Sequence, residues 1–208
     1  IRDLVRSRGL GDVYKRQHEV WTIGSILSWT QGYFTEKGIE TPRLDAEVLL
    51  SHVLKKERIY LYVHFDEPLE PAELSTFRGY VKERGAHTPT AYVLGRREFM
   101  GLTFRVTRDT LIPRPDTEIL VQTAVDFLGA RRAAGADAMS IADLGTGTGI
   151  IPLLIADRTA AVTAVELDPV QAELAVRNAA LNGLTEKITV REGDYRDPSA
   201  LFSCGAYD

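Results

Sequence analysis

The chain has 208 residues, 44% of them hydrophobic and 26% charged, a globular composition long enough for one large or two small domains. A net charge of −4 and a pI near 5.7 give no global footprint for nucleic acid, so direct nucleic-acid binding is not expected, although a local basic patch would not show in the sum. The single cysteine, Cys204, excludes a disulfide framework, and His18, His52, His64 and His87 lack metal-ligand spacing, so with no apolar run near the roughly 18 residues of a membrane span, a cytoplasmic protein without metal or membrane partner is expected.

Residues 1–17 are dotted with arginine and carry no periodic pattern, and the two methionines, Met100 and Met139, come much later. This stretch is read as a non-native leader and set aside. Residues 18–97 then recur at helical spacing in short segments. Trp21, Ile26, Leu27, Tyr33 and Phe34 form one apolar face. Thr41-Pro42 reads as a cap followed by proline at the first helical position, with Leu44, Val48, Leu49 and Val53 as the next buried stripe. Pro71 opens a helix carrying Leu74, Phe77, Tyr80 and Val81. Nothing here alternates as a strand does, so a small all-α domain is expected, its Asp45 and Glu47 solvated or capping.

The period changes at Glu98. Phe99, Leu102, Phe104 and Val106 flank Gly101 in a segment that suits a β-hairpin, and residues 98–112 are expected to act as a linker. Two prolines in Leu111-Ile112-Pro113-Arg114-Pro115-Asp116-Thr117-Glu118 fix an extended lead-in, and Asp116 with Glu118 favours the first turn of a helix through Leu128. Taken alone, this string reads equally well as a stiff hinge and helix cap. Gly135 and its alanine-rich surroundings form a loop. From Ser140 the order becomes strand Ile141–Leu144, glycine turn, helix from Ile150, strand Val162–Val165, helix Pro169–Asn182 and strand Ile188–Arg191. Such alternation implies an α/β domain with a parallel sheet, over residues 113–208, and ligands bind at the carboxyl ends of its strands. Gly205-Ala206-Tyr207-Asp208 reads as a turn entering a fourth strand that is not completed.

Asp143-Leu144-Gly145-Thr146-Gly147-Thr148-Gly149 follows the first of these strands, and Glu166 ends the second. A glycine turn with an acid after the next strand suits any ligand with a ribose, so these two features alone do not choose the cofactor. Three details favour S-adenosyl-L-methionine (SAM). Ile150 stands where a dinucleotide fingerprint has its third glycine. Asp143 puts a carboxylate beside the turn, which suits an ammonium and a sulfonium and suits a pyrophosphate poorly. Gly193-Asp194-Tyr195 after the third strand offers an acceptor for an adenine amine and an aromatic face for the ring. The blander readings are Glu166 as a helix cap before Asp168-Pro169, Asp194 as a turn acid and Tyr195 as a core residue.

Pro42-Arg43-Leu44-Asp45-Ala46-Glu47-Val48-Leu49-Leu50, Pro89-Thr90-Ala91-Tyr92-Val93-Leu94-Gly95 with Phe99, Leu111 to Glu118 and the glycine turn together resemble the release-factor glutamine N5-methyltransferases (HemK/PrmC) over about residues 20–208. The resemblance implies a helical substrate-recognition domain, a hairpin linker and an incomplete class I SAM-dependent, Rossmann-like methyltransferase domain. It implies as partner and substrate a peptide chain release factor, methylated on the glutamine of its Gly-Gly-Gln motif. Under it, Gly145, Thr146, Gly147, Thr148 and Gly149 hold the methionine part of SAM, Glu166 the ribose, and Asp194 with Tyr195 the adenine. The family's catalytic Asn-Pro-Pro-Tyr is expected beyond Asp208, so no catalytic residue is assigned and the chain is read as an inactive fragment. Gly149 to Leu154, Val165 to Pro169 and Asn178 to Gly183 are also similar to bacterial tRNA adenine-N6 methyltransferases, which leaves the substrate more open than the cofactor.

Overall fold

The computed structural model describes residues 20–136 and 139–197; the leader 1–17 and the expected fourth strand at Tyr207-Asp208 lie outside them. The chain packs as two units that divide between Leu94 and Gly95. Among the described residues no helix is long and apolar enough to cross a membrane.

The first unit comprises helices α1 (Ile23–Glu36), α2 (Pro42–Leu54), α3 (Arg58–Val63), α4 (Pro71–Gly85) and α5 (Thr90–Leu94). A capping box starts α1: the Thr22 hydroxyl accepts from the Ser25 N–H and the Ser25 hydroxyl accepts from the Thr22 N–H. The helix then buries Ile26, Leu27 and Phe34 on one face, while Trp21 and Tyr33 are only half-buried. Pro42 does stand at the first position of α2, yet the Thr41 side chain makes no capping bond. The buried stripe of α2 is Ala46, Leu49 and Leu50, not one that includes Leu44, which is 42% exposed. Leu44 lies off the i, i+3, i+4 row that faces α1 and α4.

Asp45 and Glu47 depart furthest from expectation, for both are buried. The Arg84 Nε of α4 donates to Asp45 Oδ2 at 2.8 Å. Glu47 accepts from Arg43 one turn earlier, from the Arg58 Nη2 at 2.7 Å and from the Tyr62 hydroxyl at 2.6 Å. Buried charges survive when each lone pair finds a donor, and all of these donors but Arg43 come from other helices.

The second unit opens with a hairpin, β1 (Arg96–Phe99) and β2 (Leu102–Arg105), in register Phe99↔Leu102. Met100 and Gly101 both take positive φ, 49° and 89°, the turn that matches the twist of two antiparallel strands. The hairpin starts two residues earlier than its change of period suggests. It is also docked, where a linker was expected: Phe99 and Phe104 sit in one apolar cluster with Val121, Leu153 and Ala164, and the Arg158 Nη2 donates to the Met100 carbonyl at 2.7 Å. Helix α6 (Pro115–Ala133) follows, with Asp116 and Glu118 in its first turn and Arg131 and Arg132 in its last, as the helix dipole favours.

Strands β3 (Ile141–Leu144), β4 (Val162–Glu166) and β5 (Ile188–Glu192) form a parallel sheet in that order, connected by α7 (Ile150–Arg158) and α8 (Pro169–Leu181). The central β4 buries Val162, Ala164 and Val165, an apolar run broken only by Thr163, as suits a parallel strand covered by helices. Asp168 caps α8 by accepting from the Val170 N–H at 2.8 Å, with Pro169 at the first position.

The Glu47 cluster generates a stability prediction. Burial pushes the Glu47 carboxyl up, but the bonds from Tyr62, Arg58 and Arg43 outweigh it and hold the group below its ordinary 4.5. A folded-state pKa below the unfolded one adds stability that is present above pH 4.5 and is lost as pH falls through the depressed value. Glu47→Ala strands several donors, and Arg43 and Arg58 recover water only in part, so it costs about 1–3 kcal/mol at neutral pH. Urea titrations of the two proteins at neutral and acid pH check this: the gap narrows in acid, and a gap that is the same at both pH values speaks against the assignment.

Candidate cofactor site

The carboxyl ends of β3, β4 and β5 lie side by side, with Leu144 beside Val165 and Glu166 beside Glu192. The glycine turn leaves β3 and is tied at once to β4: the Gly145 and Thr146 N–H groups both donate to the Val165 carbonyl, at 2.8 and 3.1 Å. Gly147 and Gly149 both take positive φ, 57° and 79°, where a side chain is strained. Gly149 also begins α7 against α8: a Cβ there would stand 3.0 Å from that of Ala175.

Glu166 is 9% exposed and faces the turn. Its Oε2 accepts from the Gly147 N–H at 2.7 Å and its Oε1 from the Asp168 N–H at 3.0 Å. Its own carbonyl accepts from Gly193 at 2.9 Å, which draws the loop after β5 to the same place. Each carboxylate oxygen therefore already holds one backbone donor and keeps lone-pair capacity for a further one. The reading as a bare helix cap is too small, because capping of α8 falls to Asp168 while Glu166 braces the turn.

Asp143, at the third position of β3, behaves differently. Its Oδ2 is buried without a hydrogen-bond partner, and so is the Thr146 hydroxyl oxygen. Burial raises the Asp143 carboxyl above its ordinary 3.8, the Glu166 charge adds to the rise, and the nearby Thr146 hydroxyl works against it. A buried carboxylate oxygen next to a buried hydroxyl oxygen, neither with a fixed partner among the described residues, fits a ligand that brings a cationic donor to the glycine turn. Thr148 is buried as well.

Asp194 and Tyr195 follow β5 on the loop that Glu166 anchors. Asp194 is engaged locally: the Arg196 side chain donates to both of its oxygens, at 2.9 and 2.6 Å, and the Arg196 N–H donates to Oδ1. Arg196 pulls its carboxyl down to about 2. Here the turn-acid reading describes what is seen, and any further donor would have to share Asp194 with Arg196. Tyr195 is 51% exposed and so is not a core residue. One residue with a direct hold on the turn escaped the sequence reading: Asn178 of α8 is fully buried, and its Nδ2 donates to the Thr148 carbonyl at 2.9 Å. Its only signal in sequence is an amide among Leu174, Ala175 and Ala179 on an apolar helix face.

A parallel sheet with a glycine turn after its first strand and an acid closing its second is, by element order, an α/β arrangement of Rossmann-like type. Residues 25–95 match the family model described as the PrmC N-terminal domain. The release factor glutamine methyltransferase of Geobacter sulfurreducens is 44% identical over 182 residues, that of Chlorobaculum tepidum 39% over 180, in each case covering 86% of this chain. The chain belongs to the same family as these relatives, and spans 61% of the length of each. Among solved structures, human methyltransferase 10 domain containing protein aligns with 49% of this chain and 46% of its own, at 27% identity and a TM-score of 0.42.

A site built around an unpartnered acid costs the ligand-free protein stability. Because the folded pKa of Asp143 is raised, its ionised form opposes folding: the cost is absent below the unfolded value of 3.8 and grows as pH rises through the folded one. Asp143→Asn is therefore expected to be more stable than the parent at neutral pH without ligand, with the advantage shrinking toward pH 3.8. Thermal melts at the two pH values decide it, and an equal or lower melting temperature at neutral pH rules the cost out.

Proposed function

We propose that this chain holds S-adenosyl-L-methionine at the carboxyl ends of β3, β4 and β5, and that the protein methylates N5 of the glutamine in the Gly-Gly-Gln motif of cytoplasmic peptide chain release factors. The observation that carries the cofactor is the Asp143 Oδ2, buried beside a glycine turn with no hydrogen-bond partner among the described residues, which answers a cationic amino-acid ligand. The substrate is supported by the relatives, named as release factor glutamine methyltransferases, and by the PrmC N-terminal domain at residues 25–95, to which recognition of the release factor is assigned.

In this reading Asp143 meets the ammonium of SAM, the turn Gly145, Thr146, Gly147, Thr148 and Gly149 lines its methionine part, Glu166 accepts from the ribose, and Asp194 with Tyr195 borders the adenine. SAM supplies a methyl group already activated by its sulfonium. An amide nitrogen is a poor nucleophile because its lone pair is delocalised into the carbonyl, so rate comes from holding the reactants in line and excluding water. No histidine or carboxylate of this chain is assigned a proton transfer.

Two substitutions test the cofactor site. Glu166→Ala removes the brace on Gly147 together with the ribose acceptor and should weaken SAM binding about tenfold or more by calorimetry. Gly147→Val forces a branched side chain into a positive-φ position whose Cβ lies 3.3 Å from the Gln171 Oε1 and should abolish binding while the first unit stays folded. Unchanged affinity in both removes these residues from the site.

The substrate is tested with the chain completed to the length of its relatives, incubated with SAM and either a release factor or tRNA. Mass spectrometry should find one methyl group on the Gly-Gly-Gln glutamine. Methyl groups on tRNA adenine alone would overturn the glutamine assignment and leave the cofactor standing.

A further inference from the structure

Helix α8 treats the outer edge of the hairpin as if it were itself a strand. Asn178 and Asn182 are one helical turn apart, a rise of about 6 Å, and Thr103 and Arg105 are two strand residues apart, about 6.6 Å. The spacings agree closely enough for each carboxamide to pair with the backbone of one residue. Asn182 accepts from the Thr103 N–H at 3.1 Å and donates to the Thr103 carbonyl at 2.8 Å. Asn178 accepts from the Arg105 N–H at 2.7 Å and donates to the Arg105 carbonyl at 3.3 Å. The pairing occupies the strand edge that β1 leaves open.

The two asparagines differ in their third bond. Asn182 donates to the Asn178 carbonyl of its own helix at 2.8 Å, whereas Asn178 donates to the Thr148 carbonyl of the glycine turn at 2.9 Å. Its orientation is set by chemistry, since the reverse amide would face two carbonyls and an N–H with the wrong atoms. Asn178 is fully buried, so no water replaces a bond that it loses. Glu166 holds the adjoining Gly147 N–H of the same turn.

We propose that Asn178 is a positioning residue of the cofactor site, fixing the Thr148 carbonyl and so the path of the glycine turn by a carboxamide that is simultaneously anchored to β2. This rests on the SAM reading of that turn. Asn182 shares the anchor on β2 and lacks the bond to the turn, which makes it the control. Asn178→Ser and Asn182→Ser, in the full chain, should lower the melting temperature by similar amounts. Calorimetry with S-adenosyl-L-homocysteine should then show affinity down about tenfold for Asn178→Ser and within about twofold of the parent for Asn182→Ser. Equal losses in the two, or none in either, would mean that Asn178 only docks the hairpin and would overturn the proposal. A parent chain that binds no ligand sinks the SAM reading itself, and the proposal with it. If Asn178→Ser does not fold, the parent decides: nuclear magnetic resonance should show ligand slowing hydrogen exchange of the Asn178 side-chain amide about tenfold while that of Asn182 is unmoved, and equal or absent slowing overturns it.

Discussion

The turn between β3 and α7 runs at positive φ through Gly145, Gly147 and Gly149, and the second unit is organised around holding it there. Gly145 and Thr146 hang on the Val165 carbonyl, Gly147 on the Glu166 carboxylate and Thr148 on the Asn178 carboxamide. A turn of this kind has no ladder of its own beyond the Gly149 N–H bond to the Thr146 carbonyl, so its other bonds come from neighbours, here the end of β4 and the middle of α8. The consequence is a backbone whose shape is set before any ligand arrives, which spares binding the entropy of ordering it.

That rigidity is bought by burying polar groups, and the chain treats them in two ways. Glu47 and Asn178 sit at or below 1% exposure with multiple partners each, and such satisfied groups specify one arrangement of the elements that supply the partners. Asp143 Oδ2 and the Thr146 hydroxyl oxygen are buried and left open. Open groups also occur in the first unit, at Thr30, Ser51 and Arg78, but Asp143 is the one acid among them, and an unsatisfied buried acid oxygen persists only where something else favours it.

The hairpin illustrates how a short element gains a fixed place. Two four-residue strands do not make an independently stable sheet. Burial of Phe99 and Phe104, the Arg158 bond to the Met100 carbonyl and the two asparagines of α8 attach it to the second unit. A segment that reads as a connector is thereby part of the body that carries the glycine turn.

Much of this was legible in the order of residues. Apolar periodicity placed α1, α4, α7, α8 and the three parallel strands within a residue or two, because those patterns follow from which face each element buries. Proline and glycine marked the starts of α2, α4, α6 and α8 and the turn at Gly101 for local steric reasons. The glycine turn, Asp143 and Glu166 were identifiable because their spacing along a strand–turn–helix is itself local. Tertiary structure alone decided the rest. Asp45 and Glu47 are buried because Arg84, Arg58 and Tyr62 arrive from other helices; Asp194 is held by Arg196, where an acceptor for ligand was expected; and Asn178 reaches Thr148 and Arg105 across 30 and 73 residues of chain. A charge or an amide carries no mark in sequence of whether a partner will meet it, because that depends on how distant segments pack.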